Sequence, residues 1–205
     1  KVSDNVQANV ALNNKEVDAN FFQHKPFMEQ FNAKNKGNLV AVQPIYNATV
    51  AFYSKDIKDI KDLKNGADVA IPSDPTNSSR ALLLLQSAVL VTLKDPTGLT
   101  NTPFDVTSNP KNIQITELEA AQIPRSIQDL DAAVINANYA LPAGLNPTKD
   151  GLFVEKADSP YANLLSVNPG DENKPAIQKL AKALQSPEVK KFIEEHYKGA
   201  IIPAF

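Results

Sequence analysis

The sequence predicts an α/β protein, and three observations carry that expectation. Short apolar runs alternate along the chain with stretches of helical periodicity. Several runs, such as residues 132–135, are continuously apolar, as strands covered on both faces are. At 205 residues the chain can bury a full core, as one large domain or as two lobes.

The first marked stretch is DANFFQHKPFMEQF, residues 18–31, which holds Phe21, Phe22, His24, Phe27, Met28 and Phe31. Phe27 and Phe31 are four apart, as are His24 and Met28, the spacing of helix neighbours. A helix is expected over residues 26–35, entered at Pro26, followed by strands at 38–42, 49–53 and 68–71. Asp74-Pro75-Thr76-Asn77 reads as a turn and helix cap, with a helix over residues 78–93 beyond it. A strand at 112–118 and a helix at 126–131 lead into the apolar strand 132–135. Two more strands, 152–154 and 162–167, precede a helix at 174–185. Ser186 then caps a last helix, with Pro187 at its first position, that runs to Lys198 and stops at Gly199. The fifteen prolines are spread through the loops and mark no single linker, so two lobes would have to exchange strands.

Composition excludes several function classes. A net charge of −2 with scattered lysines gives no electrostatic footprint for nucleic acid. Zero cysteine removes disulfides, thiolate chemistry and cysteine zinc sites, and the two histidines, His24 and His196, cannot build a histidine metal cluster. No metal and no cofactor is expected. No run approaches the roughly 18 apolar residues that span a membrane. No nucleophile elbow, phosphate loop, dinucleotide fingerprint or zinc-protease motif is present. Glu117 and Glu119 are two apart in a strand pattern and could share a face, a weak basis for acid–base chemistry whose plainer reading is solvent exposure or pairing with Arg125.

Binding finds more support in the residues. The aromatic stretch could wrap an apolar side chain while His24 offers a polar contact; the plainer alternative is a helix packed on the core. Asn136 ends an apolar strand, where ligands bind in open α/β sheets, or else caps a turn. Asn163 is an amide set into an apolar strand, a local conflict of the kind functional positions show. Arg80 is one of two arginines against nineteen lysines. With a helix beginning at 78 it falls in the first turn, where the dipole opposes a cation, unless a bound carboxylate stands between them. An ion pair with a protein acid such as Asp74 is the alternative.

These stretches together resemble a known family. DANFFQHKPF, YSKDIKDIKDL, IPSDPTNSSRALLLLQ, NPKNIQITELEAAQIPRS, DAAVINANYAL, KDGLFVEKADSPYANLL and YKGAIIPAF are similar, in order, to segments of the methionine-binding lipoproteins of the NlpA/MetQ type. These are substrate-binding proteins of bacterial ABC importers. The resemblance implies a two-lobed type II periplasmic-binding fold with a ligand cleft between lobes, residues 1–52 with 160–205 forming one lobe and 53–159 the other. It implies that Phe22, His24 and Phe27 cage a methionine side chain, that Arg80 holds the ligand carboxylate, and that Asn136 and Asn163 bond its amino-acid head. It also implies an extracytoplasmic receptor, monomeric, delivering methionine to an ABC permease and held to the membrane by a lipid anchor outside this chain, with no catalysis.

Two departures bear on the ligand. Relatives usually carry an aromatic seventeen residues before the cage motif, where this chain has Asn5; a methionine-containing dipeptide or another amino acid then becomes a candidate. The stretch IYNATVAF lacks a proline common in relatives. An adhesive or signalling surface lipoprotein is the remaining alternative. The chain is expected to begin partway through a longer protein.

Overall fold

A computed structural model describes residues 5–156 and 160–205, apart from the side chains of residues 5 and 6. In chain order the elements are α1 (Asn5–Asn13), β1 (Ala19–His24), α2 (Lys25–Asn35), β2 (Val40–Ala48), β3 (Val50–Tyr53), β4 (Asp68–Pro72), α3 (Pro75–Ser87), β5 (Thr92–Leu93) and β6 (Val106–Ser108). They continue with β7 (Gln114–Leu118), α4 (Ile123–Ser126), β8 (Ala132–Asn136), α5 (Ala137–Ala140), α6 (Pro147–Asp150), β9 (Phe153–Val154), β10 (Asn163–Val167), α7 (Pro175–Leu184), α8 (Pro187–Tyr197) and β11 (Ile201–Pro203). The chain forms two compact units, Thr49–Lys156 and Lys1–Ala48 with Ala157–Phe205. These divisions fall at 48/49 and 156/157, against 52/53 and 159/160 in the sequence reading, because β3 pairs with β8 and β9.

The unit Thr49–Lys156 is built on a five-stranded sheet in the order β7-β4-β8-β3-β9. β4 runs parallel to β7 and β8, and β3 runs antiparallel to β8 and β9. Both faces are covered. Val50, Phe52, Val69, Ile71 and Val134 pack with Leu82 and Leu85 of α3 on one face. The alternate residues Ala51, Tyr53, Ala70, Ala133 and Ile135 pack with Ile123 and Ile127 on the other. A period of two with both sets apolar is what makes these strands read as continuous hydrophobic runs.

In the other unit the sheet is antiparallel, in the order β1-β10-β2-β11. Leu164 packs with Leu12, Met28 and Phe31 under α1 and α2, while Leu165 and Val167 pack with Ile177 and Ala181 of α7. A buried amide network ties α1 to this sheet. Asn9 and Gln23 exchange hydrogen bonds through both their amide groups, 2.6 Å and 2.7 Å, and Gln23 Nε2 also donates to Ser166 Oγ at 3.1 Å.

Several local expectations change. The helix expected over residues 126–131 is instead α4, ending at Ser126, followed by a single 3₁₀ turn over Ile127–Asp129. α3 begins at Pro75, three residues before the expected start, because Asp74 serves as its N-cap by accepting from the Asn77 backbone N–H at 3.0 Å. It ends at Ser87 rather than at residue 93. Val89 then adopts a positive φ of 60°, its N–H donates to Gln86 O and that of Leu90 to Leu85 O, and the following residues enter the short ladder β5-β6. The stretch ANFFQH is a strand rather than a helix approach, since its backbone pairs with β10 from Ala19↔Val167 to His24↔Asn163. Helix α1 was not expected, having no charged residue in its first or last turn to mark its ends.

Candidate functional site

The candidate residues fall into two sets, one in each unit. In the unit Thr49–Lys156 the first is Arg80. With α3 starting at Pro75, Arg80 lies in the second helical turn, beyond the reach of the N-terminal dipole, so the field argument made from the sequence does not apply. Its partner is Glu155 rather than Asp74. Arg80 Nε donates to Glu155 Oε1 at 2.8 Å and Nη2 to Glu155 Oε2, a two-pronged pair in which Arg80 is 3% and Glu155 13% exposed. Glu155 is itself held in place: its N–H donates to Val50 O, 2.9 Å, and Val50 N–H donates to its Oε2, 3.4 Å. Arg125, the other arginine, is exposed.

Asp74, Asn77 and Asn136 form a second polar group beside it in the same unit. The Asp74 carboxylate accepts from the Asn77 side-chain Nδ2 at 3.0 Å and 3.1 Å, as well as from its backbone. Asn136 Nδ2 donates to Asn77 Oδ1, 2.8 Å. Asn136 is the last residue of β8 and precedes α5, yet its side chain makes no capping bond, so the capping alternative does not hold. Its Oδ1 is buried and has no hydrogen-bond partner. An orphan acceptor costs free energy in the folded chain, on the order of 1–3 kcal/mol, unless a donor arrives.

The second set lies in the unit Lys1–Ala48 with Ala157–Phe205. His24 closes β1 and caps α2, its Nδ1 accepting from the Phe27 backbone N–H at 3.2 Å. A neutral ring that accepts at Nδ1 carries its proton on Nε2. The ring meets Phe27 edge-on at 6.1 Å and Tyr161 at 5.0 Å, and Phe22 meets Phe27 edge-on at 6.2 Å. Phe22, His24 and Phe27 are therefore together, with Phe22 part-exposed and the other two buried. Asn163 stands opposite His24 in the ladder and opposite Tyr46 on its other side. Its Nδ2 donates to Phe22 O at 2.9 Å and to the Tyr46 hydroxyl at 3.0 Å. Burial pushes the Tyr46 hydroxyl pKa above its ordinary value, against the opposing bond from Asn163.

Asn5 opens α1, but its side chain lies outside the described residues. Glu117 and Glu119 are exposed and accept from Ser78 and Ser73, and His196 is an exposed ring stacked on Phe192 at 5.0 Å. No group of three or more metal-ligating side chains occurs among the described residues, and none of their helices is long and apolar enough to cross a membrane.

Sequence reasoning missed Glu155, Asn77 and Tyr161. All three sit inside the quoted motifs VEKADSPYANLL and DPTN, but nothing local marks them. Glu155 matters through a partner 75 positions away, and Asn77 through one 59 away.

The chain has relatives among known proteins. The family model described as NlpA lipoprotein matches residues 1–205. The D-methionine-binding lipoprotein MetQ of Salmonella typhimurium is 45% identical over 203 residues, 98% of this chain and 74% of that protein. A nutrient-binding protein from Burkholderia cenocepacia, solved bound to methionine, superposes with a TM-score of 0.96 at 46% identity, covering all of this chain and 86% of the other. A periplasmic substrate-binding protein of an ABC transporter from Coxiella burnetii does so at 0.96 and 43%, with the same coverage. Such matches fix the substrate-binding fold that the motifs implied. On a family model that spans the whole chain, this protein belongs to the NlpA lipoprotein family.

Proposed function

We propose that this chain is the extracytoplasmic receptor of an ABC importer and binds methionine, as the free amino acid or within a short peptide. The observation that carries the proposal is the pairing of complementary chemistry. One set of residues is an aromatic group (Phe22, His24, Phe27) beside Asn163; the other is Arg80 with the orphan acceptor Asn136 Oδ1. An apolar side chain with a zwitterionic head matches both. The aromatic rings offer apolar and edge contacts to a thioether, Arg80 grips a carboxylate, and Asn136 accepts from an ammonium group. The named relatives that bind methionine support the same ligand.

Capture is reversible and involves no chemical step, and the protein acts as a monomer that hands its ligand to a membrane permease. Binding raises the population of whichever form holds the ligand better, the shift expected of a binding protein. Thermal denaturation with L-methionine, D-methionine and glycyl-methionine tests the reading. The true ligand stabilises by RT ln(1 + [L]/Kd), roughly 2.7 kcal/mol at a hundredfold excess over Kd. If none of the three shifts the transition, the receptor proposal fails.

A further inference from the structure

We infer that Asp74 and Asn77 are positioning residues that fix the polarity of the binding group, so that Asn136 presents an acceptor and selects ligands with a free primary ammonium. The inference rests on the methionine reading above and deepens it.

Asp74 is the one member of the group whose hydrogen-bonding sense is not adjustable. A carboxylate only accepts. Asp74 already accepts from the Asn77 backbone N–H and from Thr76 Oγ1 at 3.1 Å, so the part of the Asn77 side chain that faces it must be the NH₂ group. That turns Asn77 Oδ1 the other way, toward Asn136. Facing a carbonyl oxygen, Asn136 must in turn offer its NH₂ group, and does so at 2.8 Å. Its own Oδ1 is left over, 8% exposed as a residue and without a partner.

A carboxamide by itself can present either end, since oxygen and nitrogen have nearly the same shape. Here the choice is made two links back along the hydrogen-bonded chain, at Asp74. A flip of Asn136 would set its carbonyl against that of Asn77, and a flip of Asn77 would set its carbonyl against the Asp74 carboxylate. The site is therefore built to receive a donor. A ligand lacking the ammonium leaves the Asn136 acceptor buried and unmet, which a site of this kind rejects strongly.

The test compares L-methionine with 4-(methylsulfanyl)butanoate, which keeps the side chain and carboxylate and lacks the amine, on wild type and on Asp74→Asn. Asparagine still caps α3, but its amide can donate as well as accept, so the chain of orientations is released while the helix keeps its cap. The wild type is expected to prefer methionine by about a hundredfold, and Asp74→Asn to narrow that preference by about tenfold. A purely structural role for Asp74 would weaken both ligands equally and leave the ratio unchanged, which overturns the inference. An arm without ligand separates this from the functional reading. In the wild type the Asn136 side-chain NH₂ protons are expected to exchange slowly with solvent, and in Asn77→Ala to exchange fast. Absence of that protection in the wild type refutes the relay whatever binds. Protection together with no methionine binding refutes the receptor reading and leaves the orientation standing.

Discussion

Arg80 shows how a residue can be selected for a sound reason and explained by a different one. Scarcity against nineteen lysines marked it, but the opposing helix field invoked for it vanishes once α3 starts at Pro75. The structure gives it a buried partner in Glu155 instead. That pair changes what a truncation does. Removing one member of a buried pair leaves the other charged and unmatched, so Arg80→Ala is expected to destabilise the ligand-free chain by roughly 3 kcal/mol, read from chemical denaturation. Replacing Glu155 by Gln in the same chain should restore part of the loss, while the methionine-dependent shift stays absent in both variants. Asn136 and Asn163 were legible because each is an amide in an apolar strand. Asn77 and Glu155 were not, because a polar residue in a cap or beside a loop is ordinary until its distant partner is known.

At the scale of elements, the strands with apolar residues at every position were legible, and so were the mixed β7 and β10, whereas β1 and the short β5, β6 and β11 were not. β3, β4 and β8 bury alternate residues in two different clusters and so carry no polar face to confuse the pattern. β1 reads ANFFQH because Asn20 and Gln23 are satisfied inside the protein: Asn20 Nδ2 donates to Asn9 Oδ1 at 2.8 Å, and Gln23 is locked to the same residue. Satisfied amides among the aromatics hid the strand's period of two, so the stretch read as the approach to a helix. Helix α3 was recognised but misplaced, and its fully buried Leu82 measures its packing. Leu82→Ala should cost about 2–5 kcal/mol, depending on how far the cavity collapses.

The start of the parallel pair β4 and β8 carries a pH-sensitive element. Lys64 bonds Asp131 Oδ1 at 2.6 Å and the Asp68 backbone N–H donates to Asp131 Oδ2 at 2.8 Å. These hold the Asp131 carboxyl below its usual range, Lys64 contributing most. A carboxyl with a lowered folded pKa adds stability above its unfolded value, about 3.9, and loses it as pH falls through the folded value. The wild type should therefore lose stability below pH ~4 in part through this group. Asp131→Asn should remove that part, with a difference of under ~1 kcal/mol at neutral pH because the pair is partly exposed.

For the whole molecule, Thr49–Lys156 is one uninterrupted stretch of chain, and its ends are hydrogen-bonded neighbours: Ala51 pairs with Val154, and Glu155 N–H donates to Val50 O. Both of its hydrophobic clusters are drawn entirely from its own residues. A fragment of residues 49–156 is therefore expected to unfold cooperatively on its own, checked by circular dichroism through a urea titration; a broad, non-cooperative loss of signal would show that it needs the rest of the chain. The other unit has no such independence, because β10, α7, α8 and β11 come from its last portion while β1 and β2 come from its first.

That asymmetry sets an order of events during synthesis. As the chain leaves the ribosome, β1 and β2 emerge with no strand between them, since β10 is still more than a hundred residues from being made. The middle segment can fold as soon as Glu155 has closed against Val50, and only afterwards does β10 arrive to complete the ladder that β1 and β2 have been waiting for. The aromatic stretch FFQHKPF spends that interval without the partner strand that its β1 residues pair with in the folded chain.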